Sequence, residues 1–98
     1  MKSIFISFDQ AFREQIIAVL NNNHHVRGFT LWEQVQGRGS VKGEPHFGSH
    51  AWPTLNNTIL TVVSDEKVKP ILQDLKDLNA TSDKMGLRAF VWNVEDSL

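Results

Sequence analysis

A glycine-rich segment that carries two cations is the first place where this sequence could do chemistry. Gly37, Gly39 and Gly43 are interspersed with Arg38 and Lys42. Segments of this kind can present backbone N–H groups and positive charge to an anion. The spacing matches neither a Walker A loop nor a dinucleotide-binding fingerprint. The pattern is therefore compatible with anion binding, but it does not identify the anion.

Two histidines further along the same loop form a candidate metal site. His46 and His50 are four residues apart with Gly48 between them, so both imidazoles can fold toward one point. Neutral imidazole binds copper, zinc or nickel. A structural zinc ion takes four ligands, and Glu44 is the only acidic residue close by. A metal would therefore need ligands from neighbouring chains, and the alternative is that both histidines are solvated or pack the loop.

The other candidates in the loop favour contact over catalysis. Trp52, which precedes Pro53, could anchor the loop by packing or serve as a stacking platform. Ser40 and Ser49 lie in the same flexible segment, which would hold a nucleophile poorly. No pair of carboxylates and no Ser–His–Asp order stands out. We therefore expect a binding or regulatory protein and not an enzyme.

The composition excludes several other classes of function. The 98 residues suffice for one domain over residues 1–98 and contain no cysteine, which excludes disulfides and thiolate sites. The formal net charge of -1 provides no basic surface for nucleic acid or for an anionic membrane. No apolar run approaches the roughly 20 residues that span a bilayer. No secretory signal is recognisable, so a cytoplasmic location is expected.

The elements that must position these residues follow from hydrophobic periodicity. Apolar and β-branched runs predict strands over residues 2–8, 26–36, 58–63 and 87–94, and a 3.6-residue period predicts helices over 10–20 and from Ser64 to Leu78. Asp9 and Ser64 are the expected N-caps, Asn21–Asn23 are expected to end the first helix, and Pro70 is expected to kink or delay the second. The order β-α-β-β-α-β predicts an α+β, ferredoxin-like sandwich. Its antiparallel sheet has two helices on one face and a loop of roughly 20 residues between strands two and three.

Two of the predicted strands are apolar on both faces. In the third strand Ile59 and Val63 alternate with Leu60 and Val62, and in the last strand Leu87, Ala89 and Val91 alternate with Phe90, Trp92 and Val94. Two helices can cover only one face of a sheet, so the other face would be an exposed apolar patch. Self-association is the simplest way to cover such a patch.

Two runs of residues resemble the P-II nitrogen-regulatory signalling proteins. The run Val26–Gly43, which contains Gly-Phe-Thr, Val-Gln-Gly-Arg-Gly and Lys-Gly, is similar to the second strand and the T-loop entry of that family. The run Phe90–Asp96, Phe-Val-Trp-Asn-Val-Glu-Asp, is similar to its closing strand. Element order and chain length agree too, so the resemblance covers nearly the whole chain.

The resemblance implies a homotrimer that binds small-molecule effectors, commonly adenine nucleotides, in clefts between its subunits. It also implies a T-loop that contacts a target protein, such as a membrane transporter or a metabolic enzyme, and Phe47 and Trp52 would make that contact. By position, Gly37, Arg38 and Gly39 would flank the cleft, and Lys42 would add a cation to the same site. Arg88 stands where the family has a phosphate-contacting lysine.

The sequence departs from the family pattern in three places that bear on which effector is bound and how the loop is regulated. A Gly-Asp-Gly-Lys run is expected before the last strand, and here the segment is Met85-Gly86-Leu87-Arg88. The loop is shorter, and the absence of tyrosine excludes uridylylation of a T-loop tyrosine. The expected effector is an adenine nucleotide or a divalent transition metal. In the alternative function the chain is a trimer similar to the CutA metal-tolerance proteins and binds a divalent metal through His46 and His50.

Overall fold

The four strands form close to where the sequence predicts them. The computed structural model describes residues 1–26, 28–38 and 43–98. The strands are β1 (Lys2–Asp9), β2 (Phe29–Val35), β3 (Asn56–Val63) and β4 (Arg88–Asn93). They form one sheet in the order β2-β3-β1-β4, and neighbouring strands are antiparallel. This is the ferredoxin-like arrangement, and the predicted fold class is confirmed.

Each α-helix is preceded by a short 3-10 turn. The turn Gln10–Phe12 leads into α1 (Arg13–Ala18), and the turn Asp65–Lys67 leads into α2 (Val68–Asn79). Pro70 lies in the first turn of α2, where a backbone N–H has no partner within the helix. The proline is therefore accommodated without a break, because the α-helix begins only at Val68.

The predicted N-caps differ in outcome. The carboxylate of Asp9 accepts a hydrogen bond of 2.8 Å from the N–H of Ala11, as predicted. Ser64 has the extended backbone of an N-cap, but its side chain makes no capping hydrogen bond.

Two boundaries near the end of the first helix were predicted wrongly. The Asn21–Asn23 run does not end the helix, which continues as a π-helical turn over Val19–Asn23. The amide of Asn23 lies 3.5 Å from the carboxylate of Asp74 on α2, so this side chain is engaged by a neighbouring helix. Val26 lies outside β2 because its N–H donates to the carbonyl of Leu20 at 2.7 Å and its side chain is buried.

The helices cover one face of the sheet and leave the other open. The covered face and the helices share a core whose fully buried side chains are Ile4, Ile6, Phe8, Ile16, Leu20, Ile59, Ile71 and Met85. The open face carries Phe5, Trp32, Leu60, Val62, Phe90 and Trp92. Of these, Trp32, Val62, Phe90 and Trp92 are between 45% and 56% exposed. The prediction of strands that are apolar on both faces is therefore confirmed.

None of the helical segments in the described residues has the length and apolarity needed to cross a bilayer.

Candidate functional site

The loop between β2 and β3 is closed at its base by a pair of backbone hydrogen bonds. The N–H of Gly37 donates to the carbonyl of His46 at 2.9 Å, and the N–H of His46 donates back at 2.7 Å. This bridge brings together the two ends of residues 37–46, which we call the first loop segment. The long loop predicted between β2 and β3 is thus divided by hydrogen bonds into shorter segments.

A second, shorter turn follows at residues 48–54, the second loop segment. The N–H of Gly48 donates to the carbonyl of Thr54 at 3.0 Å, and the N–H of Ser49 donates to that of Trp52 at 2.8 Å. The Ser49 hydroxyl accepts from the N–H of Trp52 at 3.1 Å. Gly48 has a φ of +64°, in the left-handed region that glycine adopts without strain. These bonds give the second loop segment a defined shape.

Two consecutive asparagines at the start of β3 hold the loop to the sheet. Asn56 is 8% exposed, and its Oδ1 accepts a hydrogen bond from Nδ1 of His46 at 2.6 Å. Asn57 is 3% exposed, and its Oδ1 accepts from the backbone N–H of Gln34 at 3.3 Å. Gln34 has a φ of +57° and lies where the β2–β3 register shifts. Such bulges bend a strand and re-aim the chain, and this one stands at the entry to the loop.

The base of the loop, the end of β1 and the start of β4 surround an open cleft of about 1050 Å³. This volume lies just above the range of roughly 300–1,000 Å³ that is typical of small-molecule sites, so the cleft has room for such a ligand. The residues that line the cleft are mostly polar: Ser7, Asp9, Gly37, Arg38, Gly43, Glu44, His46, Thr54, Asn56, Asn79, Ser82, Asp83, Lys84, Gly86, Leu87, Arg88 and Phe90.

Three of the residues predicted to bind the effector lie on this cleft. Gly37 and Arg38 come from the first loop segment, and Arg88 begins β4 some fifty residues later, so the fold brings distant parts of the chain together. The Nε of Arg38 donates to the carbonyl of Gly43 at 3.1 Å. The predicted ligands Gly39 and Lys42 lie outside the described residues.

The charges on the cleft are mixed. Arg38, Lys84 and Arg88 contribute positive charge, and Asp9, Glu44 and Asp83 contribute carboxylates. The carboxylate of Asp9 is occupied as the N-cap of the 3-10 turn. Across residues 1–26, 28–38 and 43–98, the exposed side chains of Lys84 and Arg88 have no ion-pair or hydrogen-bond partner. Of the two, Arg88 has the planar guanidinium that can donate two parallel hydrogen bonds to one negatively charged group of a ligand.

The two candidate metal ligands have different surroundings. His46 lines the cleft and its Nδ1 is bonded to Asn56. His50 is exposed in the second loop segment and does not line the cleft. No group of three or more histidine, aspartate or glutamate side chains within the described part of the chain could hold a metal ion. The metal site therefore stays a prediction from the sequence.

The two aromatic residues predicted to contact a partner lie away from the cleft. Phe47 is 39% exposed and Trp52 is 41% exposed. The carbonyl of Phe47 accepts a hydrogen bond of 2.9 Å from the side-chain amide of Gln36. Contact of Phe47 and Trp52 with a partner protein stays a prediction from the sequence.

Sequence reasoning did not identify several residues of the cleft. Asn56 and Asn57 begin β3, and the signal that could have pointed to them is a pair of asparagines directly before the apolar run at 58–63. Asp83 and Lys84 directly precede the segment Met85–Arg88, which takes the place of the family's Gly-Asp-Gly-Lys run. Their place on the cleft depends on that segment folding back beside the end of β1, where the N–H of Asp9 donates to the carbonyl of Met85 at 2.7 Å.

Comparison with known proteins identifies the family to which this chain belongs. The family model of the nitrogen regulatory protein P-II matches residues 1–98. The chain therefore belongs to the nitrogen regulatory protein P-II family, as its sequence motifs suggested. No curated protein is significantly similar in sequence.

Solved structures of P-II-like proteins share the fold. CPII from Thiomonas intermedia K12, bound to ADP, AMP and bicarbonate, has a TM-score of 0.72 at 20% identity, covering 95% of this chain and 88% of that one. Its apo form has a TM-score of 0.70 at 19% identity, with coverages of 93% and 85%. A candidate PII-like signalling protein from Thermus thermophilus has a TM-score of 0.69 at 24% identity, with coverages of 95% and 85%.

Proposed function

We propose that this chain is a P-II-like signal-transduction protein that binds an adenine nucleotide in the cleft and contacts a target protein through residues 37–53. The observation that carries this proposal is the meeting of Gly37 and Arg38 with Arg88 on one cleft. These are positions where the family resemblance predicts nucleotide contacts. The structures of CPII with ADP and AMP support the choice of nucleotide.

The mixed charge of the cleft supports a specific arrangement of the nucleotide. Arg88 would contact a phosphate, because its guanidinium has no partner in the described part of the chain and can donate two parallel hydrogen bonds to phosphate oxygens. The backbone near Gly37 and the side chain of Arg38 would lie along the opposite wall. A phosphate placed near Glu44 or Asp83 would be repelled, so these carboxylates restrict where the phosphates can lie.

The open face supports assembly into a homotrimer with the cleft at the border between subunits. Toward the loop, the open face changes from an apolar row of Phe90, Phe5 and Leu60 to a polar row of Arg88, Ser7 and Thr58, and then to Asp9 and Asn56. Phe90 belongs both to the open face and to the cleft lining. If a second copy covers the apolar rows, the cleft is completed by that copy.

Binding in the cleft would act on the loop because the two share residues. The Gly37–His46 bridge forms part of the cleft wall and also closes the first loop segment. A ligand that prefers one arrangement of this wall shifts the population of loop conformations by its differential affinity. The exposed side chains of Phe47 and Trp52 then engage or release the target.

Isothermal titration calorimetry with ATP, ADP and AMP tests the proposal. We expect a nucleotide to bind the wild type and Arg88→Gln to weaken that binding by at least about tenfold, because a charge-assisted hydrogen bond contributes more than a neutral one. Lys69→Gln is the matched control: it removes the same charge from an exposed lysine at the start of α2, away from the cleft.

Two outcomes would contradict the proposal. If no adenine nucleotide binds at micromolar concentration, the chain does not read this class of effector. If Arg88→Gln and Lys69→Gln have equal effects, the nucleotide binds elsewhere. The same titration with Cu(II), Zn(II) and Ni(II) would reveal the metal-binding alternative predicted from His46 and His50.

A further inference from the structure

Four residues connect the loop, β3 and the segment before β4 in one cluster. Nδ1 of His46 lies 2.6 Å from Oδ1 of Asn56. Because an amide oxygen only accepts hydrogen bonds, Nδ1 of His46 is the donor. Gly37 and Gly86 flank this pair, and the four residues are called the latch below.

The two glycines of the latch leave room for the histidine and the asparagine. A Cβ atom at Gly37 would lie 2.6 Å from Nδ2 of Asn56, closer than such atoms can approach. A Cβ atom at Gly86 would lie 3.4 Å from Cε1 of His46, and Gly86 also has a φ of +59°. The loop, the sheet and the β4 entry therefore pack together at His46 without intervening side chains.

The latch belongs to both the cleft and the loop. All four of its residues line the cleft. His46 also forms the backbone bridge to Gly37 and directly precedes Phe47, whose carbonyl is bonded to the side chain of Gln36. A displacement of the His46 ring therefore moves the backbone bridge to Gly37, which closes the first loop segment. It also moves Phe47 and the start of the second loop segment.

We infer that His46, held by Asn56, is the positioning residue through which the cleft and the second loop segment act on each other. The claim that a ligand in the cleft acts through His46 rests on the proposed function. The contacts of the latch do not, because they are present in the ligand-free protein. Ring nitrogen Nε2 is left without a partner in the described residues, so a ligand in the cleft can bond to the ring without breaking its bond to Asn56.

Amide hydrogen exchange measured by NMR on the ligand-free protein tests the latch. We expect His46→Ala to accelerate exchange of the Gly37 amide about tenfold, because loss of a part-buried hydrogen bond favours local opening by about that factor. Asn56→Leu should do the same, and the double variant should add little, since both changes break one bond. Amides in β1 and β3 that exchange at wild-type rates show that the variants are folded.

Two further variants separate a specific latch from general loosening of the loop. His46→Asn keeps an N–H donor near the position of Nδ1 and should restore most of the protection. Ser49→Ala removes a hydroxyl from the second loop segment and should leave the Gly37 amide unchanged. If His46→Ala changes exchange of the Gly37 amide by less than about twofold, there is no latch.

Exchange at saturating ADP tests the coupling. In the wild type, ADP should change the exchange of the Gly48 and Ser49 amides, which do not line the cleft, by at least about threefold. In His46→Ala at saturating ADP this response should be lost. An equal response in both proteins would overturn the coupling. If the wild type does not bind ADP, the proposed function fails, and the exchange rates of the free protein still decide whether the latch exists.

Discussion

The two faces of the sheet are built from the same strands but meet different surroundings. On the covered face, Ile4, Ile6, Phe8 and Ile59 are fully buried beneath the helices. On the open face, Phe90 and Trp92 are about half exposed on one edge strand, and Trp32 is about half exposed on the other. Large apolar patches are uncommon on monomeric proteins and usually mark an interface. The comparison indicates that one face stabilises the fold and the other is available for assembly.

The comparison also places the cleft. Near the loop, the aromatic side chains of the open face give way to charged and polar ones at Ser7, Asp9, Asn56 and Arg88. The cleft begins at this boundary. A ligand there would touch the same edge of the sheet that a second copy of the chain would cover, so effector binding and assembly are expected to be linked.

The largest effect is expected on the covered face. Phe8→Ala removes a fully buried ring from the core and should lower the free energy of unfolding by about 3–5 kcal/mol, through lost burial and the cavity that remains. Chemical denaturation followed by circular dichroism measures this loss. A loss below about 1 kcal/mol would mean that the covered face is not the stabilising one.

A charge on the open face should prevent assembly and leave the fold intact. Trp92→Glu is expected to convert a trimer into a monomer in light scattering, because it places a carboxylate in an apolar interface. The circular dichroism spectrum should be retained, and the melting temperature should lose its dependence on protein concentration. Trp52→Glu, the same change in the second loop segment, should leave the mass unchanged. A wild-type monomer at micromolar concentration would contradict the assignment of the open face to assembly.

A smaller effect is expected where the cleft meets the loop. Gly37→Ala pushes a methyl group against Nδ2 of Asn56 and should weaken the bond to His46, at a cost of about 1 kcal/mol in unfolding free energy. Its effect on nucleotide affinity should be larger than its effect on stability, because Gly37 lines the cleft. Calorimetry measures the change in nucleotide binding free energy, and thermal unfolding measures the change in stability of the same variant. A larger change in stability than in binding would contradict the role of Gly37 in the cleft.

The smallest effect concerns a carboxylate that does not line the cleft. The pKa of Glu66 is lowered from 4.5 by hydrogen bonds from its own backbone N–H and from the hydroxyl of Ser64. A depressed pKa in the folded state contributes stability that is present above the unfolded value and is lost as the pH falls through the folded value. Below about pH 4.5, the wild type should therefore lose slightly more stability than Glu66→Gln in unfolding midpoints measured from pH 6 to pH 3. If the unfolding midpoints of the wild type and of Glu66→Gln fall in parallel over this pH range, the Glu66 carboxylate does not contribute to stability in this way.

Much of the fold could be predicted because its signals are local. The alternation in β1 and β3 and the period of Ile71 and Leu75 in α2 determine which element forms and which side is buried. The errors lie where tertiary contacts override local preference. Asn23 bonds to Asp74 of a distant helix, and Val26 closes the end of the first helix and does not extend β2.

The candidate site could be predicted only in part for the same reason. Gly37, Arg38 and Arg88 were identifiable because their positions match family motifs. Asn56 and Asn57 were not, because their partners His46 and Gln34 are 10 and 23 residues away in the chain. The sequence also suggested His46 as a metal ligand on residue type and spacing alone. Its hydrogen bond to Asn56 and its contact with Gly86 depend on how the loop returns to the sheet.

Mapping of ADP binding by amide chemical shifts tests the central claim most directly, because it locates the ligand on the surface. The account predicts that the largest shifts occur at Gly37, Gly86 and Arg88, on the two walls of the cleft, and that the amides at the start of α2 stay unchanged. Shifts concentrated along α2, or spread evenly over the open face, would contradict the claim that the cleft at the base of the loop is the effector site.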